Sequence, residues 1–123
     1  MIDHITLRVK NISKSKRFYD SLLQIIGYKI LLGKNEDPFR GYGTKQDPEF
    51  EIVQADKMHP SNSNVHIAFR VLNKKTIKLF HQKALELGRK CNGEPGPRPV
   101  YGKTYYASFI LDPDGNNIEA CLY

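Results

Sequence analysis

A histidine-led segment that occurs twice limits what this chain can fold into. The chain reads DHITLRV over residues 3–9 and VHIAFRV over residues 65–71. In both copies polar and apolar residues alternate, which predicts a strand with one buried face. When the two segments are superposed, identical residues recur further along both halves: Asn11 and Asn73, Lys16 and Lys78, and Phe18 and Phe80. Repetition of this kind indicates a duplicated supersecondary unit.

Each half continues with a helix and then further strands. The first helix is predicted to have Ser13 as its N-cap and to stop at Gly27, and the second stops at Gly88. We therefore predict an α+β fold of two βαβββ modules, about residues 1–60 and 64–123, within a single domain. One such module cannot bury both faces of its sheet, so the two are expected to pair. The proline- and glycine-rich segment 92–103 is predicted to be a connecting loop or a lid.

Composition narrows the function classes. No apolar run approaches the length of a membrane span, and the N-terminus lacks the layout of a signal peptide, so a cytoplasmic protein with no membrane partner is expected. The chain has a net charge of +6, and basic residues cluster in two short runs on the predicted helices, KSKR at 14–17 and KKTIK at 74–78. These are interpreted as solvated faces and not as a nucleic-acid site, although the positive charge favours an anionic small molecule.

The cysteines and two of the histidines do not form a metal motif in the sequence. Cys91 and Cys121 lie far apart and outside any CxxC pair, which argues against a thiolate zinc site or a disulfide framework. His59 in a polar connector and His81 in the second helix are interpreted as structural or exposed residues.

The repeat carries a histidine and a glutamate at equivalent places. A histidine opens each module on the polar face of its first strand, and a glutamate stands between apolar residues in the last strand. By alternation, all four polar side chains are expected on one surface. Two imidazoles and two carboxylates suit one divalent ion such as zinc, nickel, cobalt, manganese or ferrous iron. The predicted metal ligands are His4, Glu51, His66 and Glu119.

Other polar residues are candidates for substrate binding. Arg98 can pair with a substrate carboxylate or phosphate, and tyrosines offer flat apolar walls with a hydroxyl. The three tyrosines concerned are Tyr101, Tyr105 and Tyr106. Which of Tyr105 and Tyr106 faces inward depends on a strand register that the sequence leaves open.

Three segments resemble one known family. HITLRVKNISKSKRFY, VHIAFRV and YYASFILDPDGNNIEA are similar to segments of the vicinal oxygen chelate superfamily, the glyoxalase, bleomycin-resistance and ring-cleavage dioxygenase group. The resemblance covers essentially the whole chain. It implies a half-open mixed β-barrel around one divalent metal ion in a central cavity, a small-molecule substrate, and a homodimer.

Likeness to glyoxalase I within that group implies roles for individual residues. It implies the same four metal ligands, with Glu119 as the base that moves a proton and Glu51 as the auxiliary carboxylate. Arg8 matches an arginine that contacts substrate. The implied reaction is a proton transfer next to a carbonyl, of the lyase or isomerase type, on a small and anionic oxygenated substrate.

Two alternatives stay open. A ring-cleaving dioxygenase would use ferrous iron held by His4, His66 and Glu119. A metal-free small-molecule-binding protein of the antibiotic-resistance type would need no metal ion.

Overall fold

The computed structural model describes all 123 residues and divides into two compact units, residues 1–63 and 64–123. Each unit contains one helix and one four-stranded mixed sheet. The predicted α+β class and the two βαβββ modules are confirmed. No helix is both long enough and apolar enough to span a membrane.

The first unit is a βαβββ module. Its elements are β1 (Ile5–Val9), α1 (Ile12–Ile25), β2 (Lys29–Leu32), β3 (Phe39–Gly43) and β4 (Phe50–Gln54). The strands lie in the order β1-β4-β3-β2, with β1 parallel to β4 and the other pairs antiparallel. The first strand of the unit therefore pairs with the last.

The second unit repeats this arrangement. Its elements are β5 (His66–Arg70), α2 (Lys74–Glu86), β6 (Cys91–Pro97), β7 (Tyr106–Leu111) and β8 (Asn117–Leu122). The order β5-β8-β7-β6, with β5 parallel to β8, reproduces the first sheet strand for strand.

Both helices begin at an asparagine, not at the predicted Ser13. The Asn11 side chain accepts a hydrogen bond from the Lys14 amide at 2.9 Å, and Asn73 accepts one from the Thr76 amide at 2.8 Å. Asparagine caps a helix as well as serine does, so residue preference gave no reason to choose Ser13 over Asn11. The repeated asparagine is therefore explained by capping.

The segment predicted as a connecting loop or lid begins as a strand. Residues 91–97 form β6, and only the remainder up to Lys103 connects it to β7. Pro95 and Pro97 are tolerated because β6 is the edge strand of its sheet and one side of its backbone has no ladder partner. The pairing of β6 with β7 is irregular on both sides of Gly93.

A buried charged network ties α1 of the first unit to β3. Arg40 is 5% exposed, and its guanidinium donates to the Asp20 carboxylate at 3.1 Å and to the Gly33 carbonyl at 2.9 Å. The other Asp20 oxygen accepts from the buried Tyr42 hydroxyl at 2.9 Å. A buried guanidinium needs such partners to offset its lost hydration.

We expect Asp20→Asn to destabilise the chain by about 2 kcal/mol, because the Arg40 charge stays buried while its counter-charge is lost. Urea unfolding followed by circular dichroism would measure the change. Asp47→Asn, at an exposed aspartate of the same unit, is the matched control and should leave the midpoint unchanged. Equal midpoints for the two variants would show that the Arg40–Asp20 pair contributes nothing.

Candidate functional site

The second unit places a buried carboxylate between a histidine and a tyrosine. Glu119 lies on β8 directly opposite Ala68 of β5, and its side chain is 3% exposed. One oxygen lies 2.8 Å from Nε2 of His66, and the other accepts the Tyr105 hydroxyl at 2.8 Å. Both carboxylate oxygens are therefore partnered, which is what allows a carboxylate to be buried.

Tyr105 serves this group as a proton donor. Burial raises the pKa of Tyr105 above its ordinary value, and hydrogen bonds to Cys121 and Glu119 raise that pKa further. The phenol is therefore protonated at neutral pH and donates to Glu119. Its ring stacks on Tyr123 with centroids 5.3 Å apart, which fixes the direction of the hydroxyl.

The turn between β7 and β8 sets the position of this group. Oδ1 of Asp112 accepts the amides of Asp114 and Asn116, both at 2.8 Å. Oδ1 of Asn116 in turn accepts the Val65 amide at 3.0 Å. Because Val65 immediately precedes His66, the buried turn locks the start of β5 against the start of β8 and brings His66 to Glu119.

We call the surface of this sheet that carries Glu119 the Glu119 face. Phe109 lies opposite Glu119 in the β7–β8 register and so shares this face. The Arg98 guanidinium lies 5.3 Å from the centre of the Phe109 ring, and Tyr101 packs edge-on against Tyr105 at 5.4 Å. A pocket of about 330 Å³ is lined by Arg98, Tyr101 and Phe109 together with Asn92, Gly93 and Asn117.

Tyr106 lies on the opposite surface, which we call the helix side. Ser108, two residues further along β7, donates its hydroxyl to the Ile77 carbonyl of α2 and so marks that side. The ammonium of Lys74, at the start of α2, lies 5.0 Å from the centre of the Tyr106 ring. The structure thus places Tyr105 with Glu119 and Tyr106 against the helix.

The first unit holds its histidine and glutamate differently. Glu51 lies opposite Thr6 in the β1–β4 register and accepts the Thr6 hydroxyl at 2.9 Å. Nδ1 of His4 lies 2.8 Å from the Asp3 carboxylate. This hydrogen bond, followed by the charge of Glu51, raises the pKa of His4 above its ordinary value. Arg8 follows Thr6 by two residues and shares its face of the sheet.

One substitution within the repeat accounts for part of this difference. Thr6 and Ala68 occupy the same place, each opposite the glutamate of its unit. Threonine supplies a hydroxyl that binds Glu51, whereas alanine supplies none, and Glu119 takes His66 and Tyr105 as partners instead. The sequence did not indicate the Tyr105–Glu119 bond, and the only available signal was the alternation along β7, whose register was open.

Each unit carries donor atoms of the kinds that bind divalent metal ions. In the second unit an imidazole nitrogen and a carboxylate oxygen lie side by side, and the His66 side chain is 51% exposed and so accessible. In the first unit Nδ1 of His4 is bonded to Asp3, so Nε2 is the nitrogen available to bind a metal ion. Histidines that bind metals commonly have a carboxylate on their other nitrogen. Borderline ions such as zinc accept nitrogen and oxygen donors of these kinds.

The comparisons with protein-family models and with known proteins point to the same family. The model of the Glyoxalase/Bleomycin resistance protein/Dioxygenase superfamily matches residues 1–120. A Synechocystis sp. protein named "Probable lactoylglutathione lyase" is 32% identical over 126 residues, covering 94% of this chain and 90% of that protein.

Solved structures share the fold. A glyoxalase/bleomycin resistance protein from Albidiferax ferrireducens T118 is 25% identical with a TM-score of 0.78, covering 97% of this chain and 95% of its own. A lactoylglutathione lyase from Agrobacterium tumefaciens is 16% identical with a TM-score of 0.69, covering 98% and 92%. At that identity the second likeness concerns the fold alone.

We expect Tyr105→Phe to destabilise the chain by about 1 kcal/mol, because the ring still stacks on Tyr123 while a buried carboxylate oxygen loses its donor. Tyr106→Phe removes the same atom on the helix side and is the matched control. Urea unfolding of both variants would measure the difference. A loss equal to or smaller than that of the control would contradict the role given to the Tyr105 hydroxyl.

Proposed function

The chain belongs to the glyoxalase/bleomycin resistance protein/dioxygenase superfamily, and from this premise we propose that it is a divalent-metal-dependent lyase or isomerase. The proposed reaction moves a proton next to the carbonyl of a small, anionic, oxygenated substrate. The proposal rests mainly on the buried Glu119 carboxylate, one oxygen of which lies 2.8 Å from Nε2 of the half-exposed His66 side chain.

Glu119 and His66 are proposed as metal ligands, with the equivalent pair His4 and Glu51 as the others. The second pair rests on the sequence duplication and on the family resemblance. An ion held by these residues would supply positive charge where an oxyanion develops, which would lower the cost of removing a proton beside a carbonyl. Glu119 is proposed as the base that accepts this proton and Glu51 as the auxiliary carboxylate.

The pocket on the Glu119 face supports a small anionic substrate. Arg98 supplies a guanidinium that can hold a carboxylate or phosphate in two-point contact, and Tyr101 supplies an apolar wall with a hydroxyl. A volume of about 330 Å³ lies at the lower end of the range for small-molecule sites. Arg8, on the Glu51 face of the first unit, is proposed as a further substrate contact.

The name of the Synechocystis relative suggests which substrate to try first. That protein is described as acting on lactoylglutathione, so an adduct of glutathione with a 2-oxoaldehyde is the first candidate. Arg98 would then contact a carboxylate of the peptide. Other 2-hydroxy or 2-oxo acids carry the same chemistry without glutathione and form the second set to assay.

We expect His66→Ala to weaken metal binding by more than about 100-fold, because it removes a ligand itself. Losing a residue that only hydrogen-bonds to a ligand typically weakens binding roughly 10- to 100-fold. Calorimetric titration of metal-stripped protein with zinc, nickel, manganese and ferrous iron would measure the dissociation constants. His59→Ala is the matched control, since the His59 side chain is similarly exposed and is likewise paired with a carboxylate, that of Asp56. Unchanged affinity in the His66 variant would contradict the site.

Glu119→Gln should lower the rate of proton exchange at the substrate carbon by at least about a hundredfold, because an amide cannot accept the proton. Nuclear magnetic resonance in D₂O, with metal-loaded protein and each candidate substrate, would follow this exchange. Oxygen uptake by iron-loaded protein without any proton exchange would instead favour the ring-cleaving dioxygenase. Tight ligand binding by metal-free protein, with neither reaction, would favour the binding protein.

A further inference from the structure

Three potential metal ligands lie together on the helix side of the second unit. His81 lies on α2 and is 4% exposed, Cys91 begins β6, and Glu94 follows on the same strand. Nε2 of His81 is 3.1 Å from the Cys91 sulfur, and the sulfur is 3.5 Å from Oε1 of Glu94. The three ligand atoms all lie within 4.8 Å of one another.

The irregular pairing of β6 explains how Cys91 and Glu94 meet. In a regular strand, residues three apart point to opposite faces. The β6–β7 register shifts between Cys91 and Gly93 and again between Gly93 and Gly96. Such irregularities re-aim side chains, and here both ligands come to the side that His81 occupies.

The cluster is separate from the Glu119 site. Cys91 lies opposite Ile110 in the β6–β7 register, and Ile110 alternates with Phe109, which faces Glu119. Ile110 therefore points to the helix side, and so does Cys91. The sheet itself stands between the two groups, and neither shares a ligand with the other.

We propose that His81, Cys91 and Glu94 form a second metal site, which binds one zinc-like thiophilic divalent ion. A thiolate with an imidazole selects zinc and related borderline ions over calcium and magnesium, which prefer oxygen ligands alone. Tetrahedral zinc, with bonds of about 2.3 Å to sulfur and about 2.0 to 2.2 Å to nitrogen or oxygen, holds its ligand atoms about 3.3 to 3.6 Å apart. The observed His81–Cys91 and Cys91–Glu94 separations of 3.1 and 3.5 Å lie close to these values, and all three ligand atoms lie within 4.8 Å of one another.

The site is preorganised on one side and accessible on the other. Burial fixes the His81 ring within the packed helix, whereas Cys91 is exposed and the Glu94 side chain is 78% exposed. The Glu94 carbonyl also accepts a hydrogen bond from Arg98, which holds the strand locally. Binding displaces the proton of the Cys91 thiol to solvent and leaves a fourth position for water.

Cobalt(II) tests this site separately from the proposed catalytic one. A sulfur-to-cobalt charge-transfer band in the near ultraviolet requires a thiolate ligand, and His4, Glu51, His66 and Glu119 include no sulfur. We expect titration of the metal-stripped chain to develop this band to about one cobalt per chain. The band should persist in His66→Ala. This proposal rests on different residues from the proposed function, so either one can fail without affecting the test of the other.

Matched variants identify the ligands. Cys91→Ser should abolish the band, whereas Cys121→Ser, at the other free thiol, should retain it. Glu94→Gln, at a side chain that is 78% exposed, should weaken cobalt binding at least about tenfold. A native chain without the band, or a band that survives Cys91→Ser, would overturn the proposal.

Alkylation of Cys91 gives a second readout. Iodoacetamide labelling, located by peptide mass spectrometry, should slow at least about tenfold when zinc is added, and chelation should restore it. Equal labelling rates with and without zinc would overturn the proposal. Cys91 would then be a thiol that is hydrogen-bonded to His81 and binds no metal.

Discussion

The parallel pairing of the first strand with the last strand is the constraint on which each unit depends. It sets Thr6 opposite Glu51 and Ala68 opposite Glu119. Since side chains alternate along a strand, a histidine two residues before that position shares the face of the glutamate. A parallel pair also needs a long crossover, which α1 or α2 provides. The crossover helix of each unit, and the placement of its histidine and glutamate on one face, thus follow from this one strand pairing.

Duplication preserved this pairing but not the chemistry around it. In the second unit Glu119 is buried, and its partners are an imidazole and a protonated phenol. In the first unit Glu51 is bonded to a threonine hydroxyl, and His4 to its neighbour Asp3. A carboxylate shielded from water interacts more strongly with a nearby charge than an exposed one does. A cation bound beside Glu119 would therefore be held by a less screened charge than one beside Glu51.

The sequence predicted what depends on periodicity and missed what depends on register or on contacts between distant residues. The repeat and the alternation gave both βαβββ modules, and they put Glu119 on the face of His66. The choice between Tyr105 and Tyr106 required the β7–β8 register, which is set by the buried Asp112–Asn116 turn. The proximity of His81 and Cys91 could not be predicted either, because a helix residue and a bulged strand residue meet only through tertiary packing.

The irregular strand β6 borders both the pocket on the Glu119 face and the His81–Cys91–Glu94 cluster. Gly93 pairs with Phe109 and lines the pocket that holds Arg98, while Cys91 and Glu94 face α2. A Cβ atom at position 93 would lie 2.7 Å from the Phe109 ring, so only glycine fits the observed path. Were β6 regular, Glu94 would point away from Cys91. The same backbone irregularity that brings the strand close to Phe109 on one face therefore assembles the His81–Cys91–Glu94 cluster on the other.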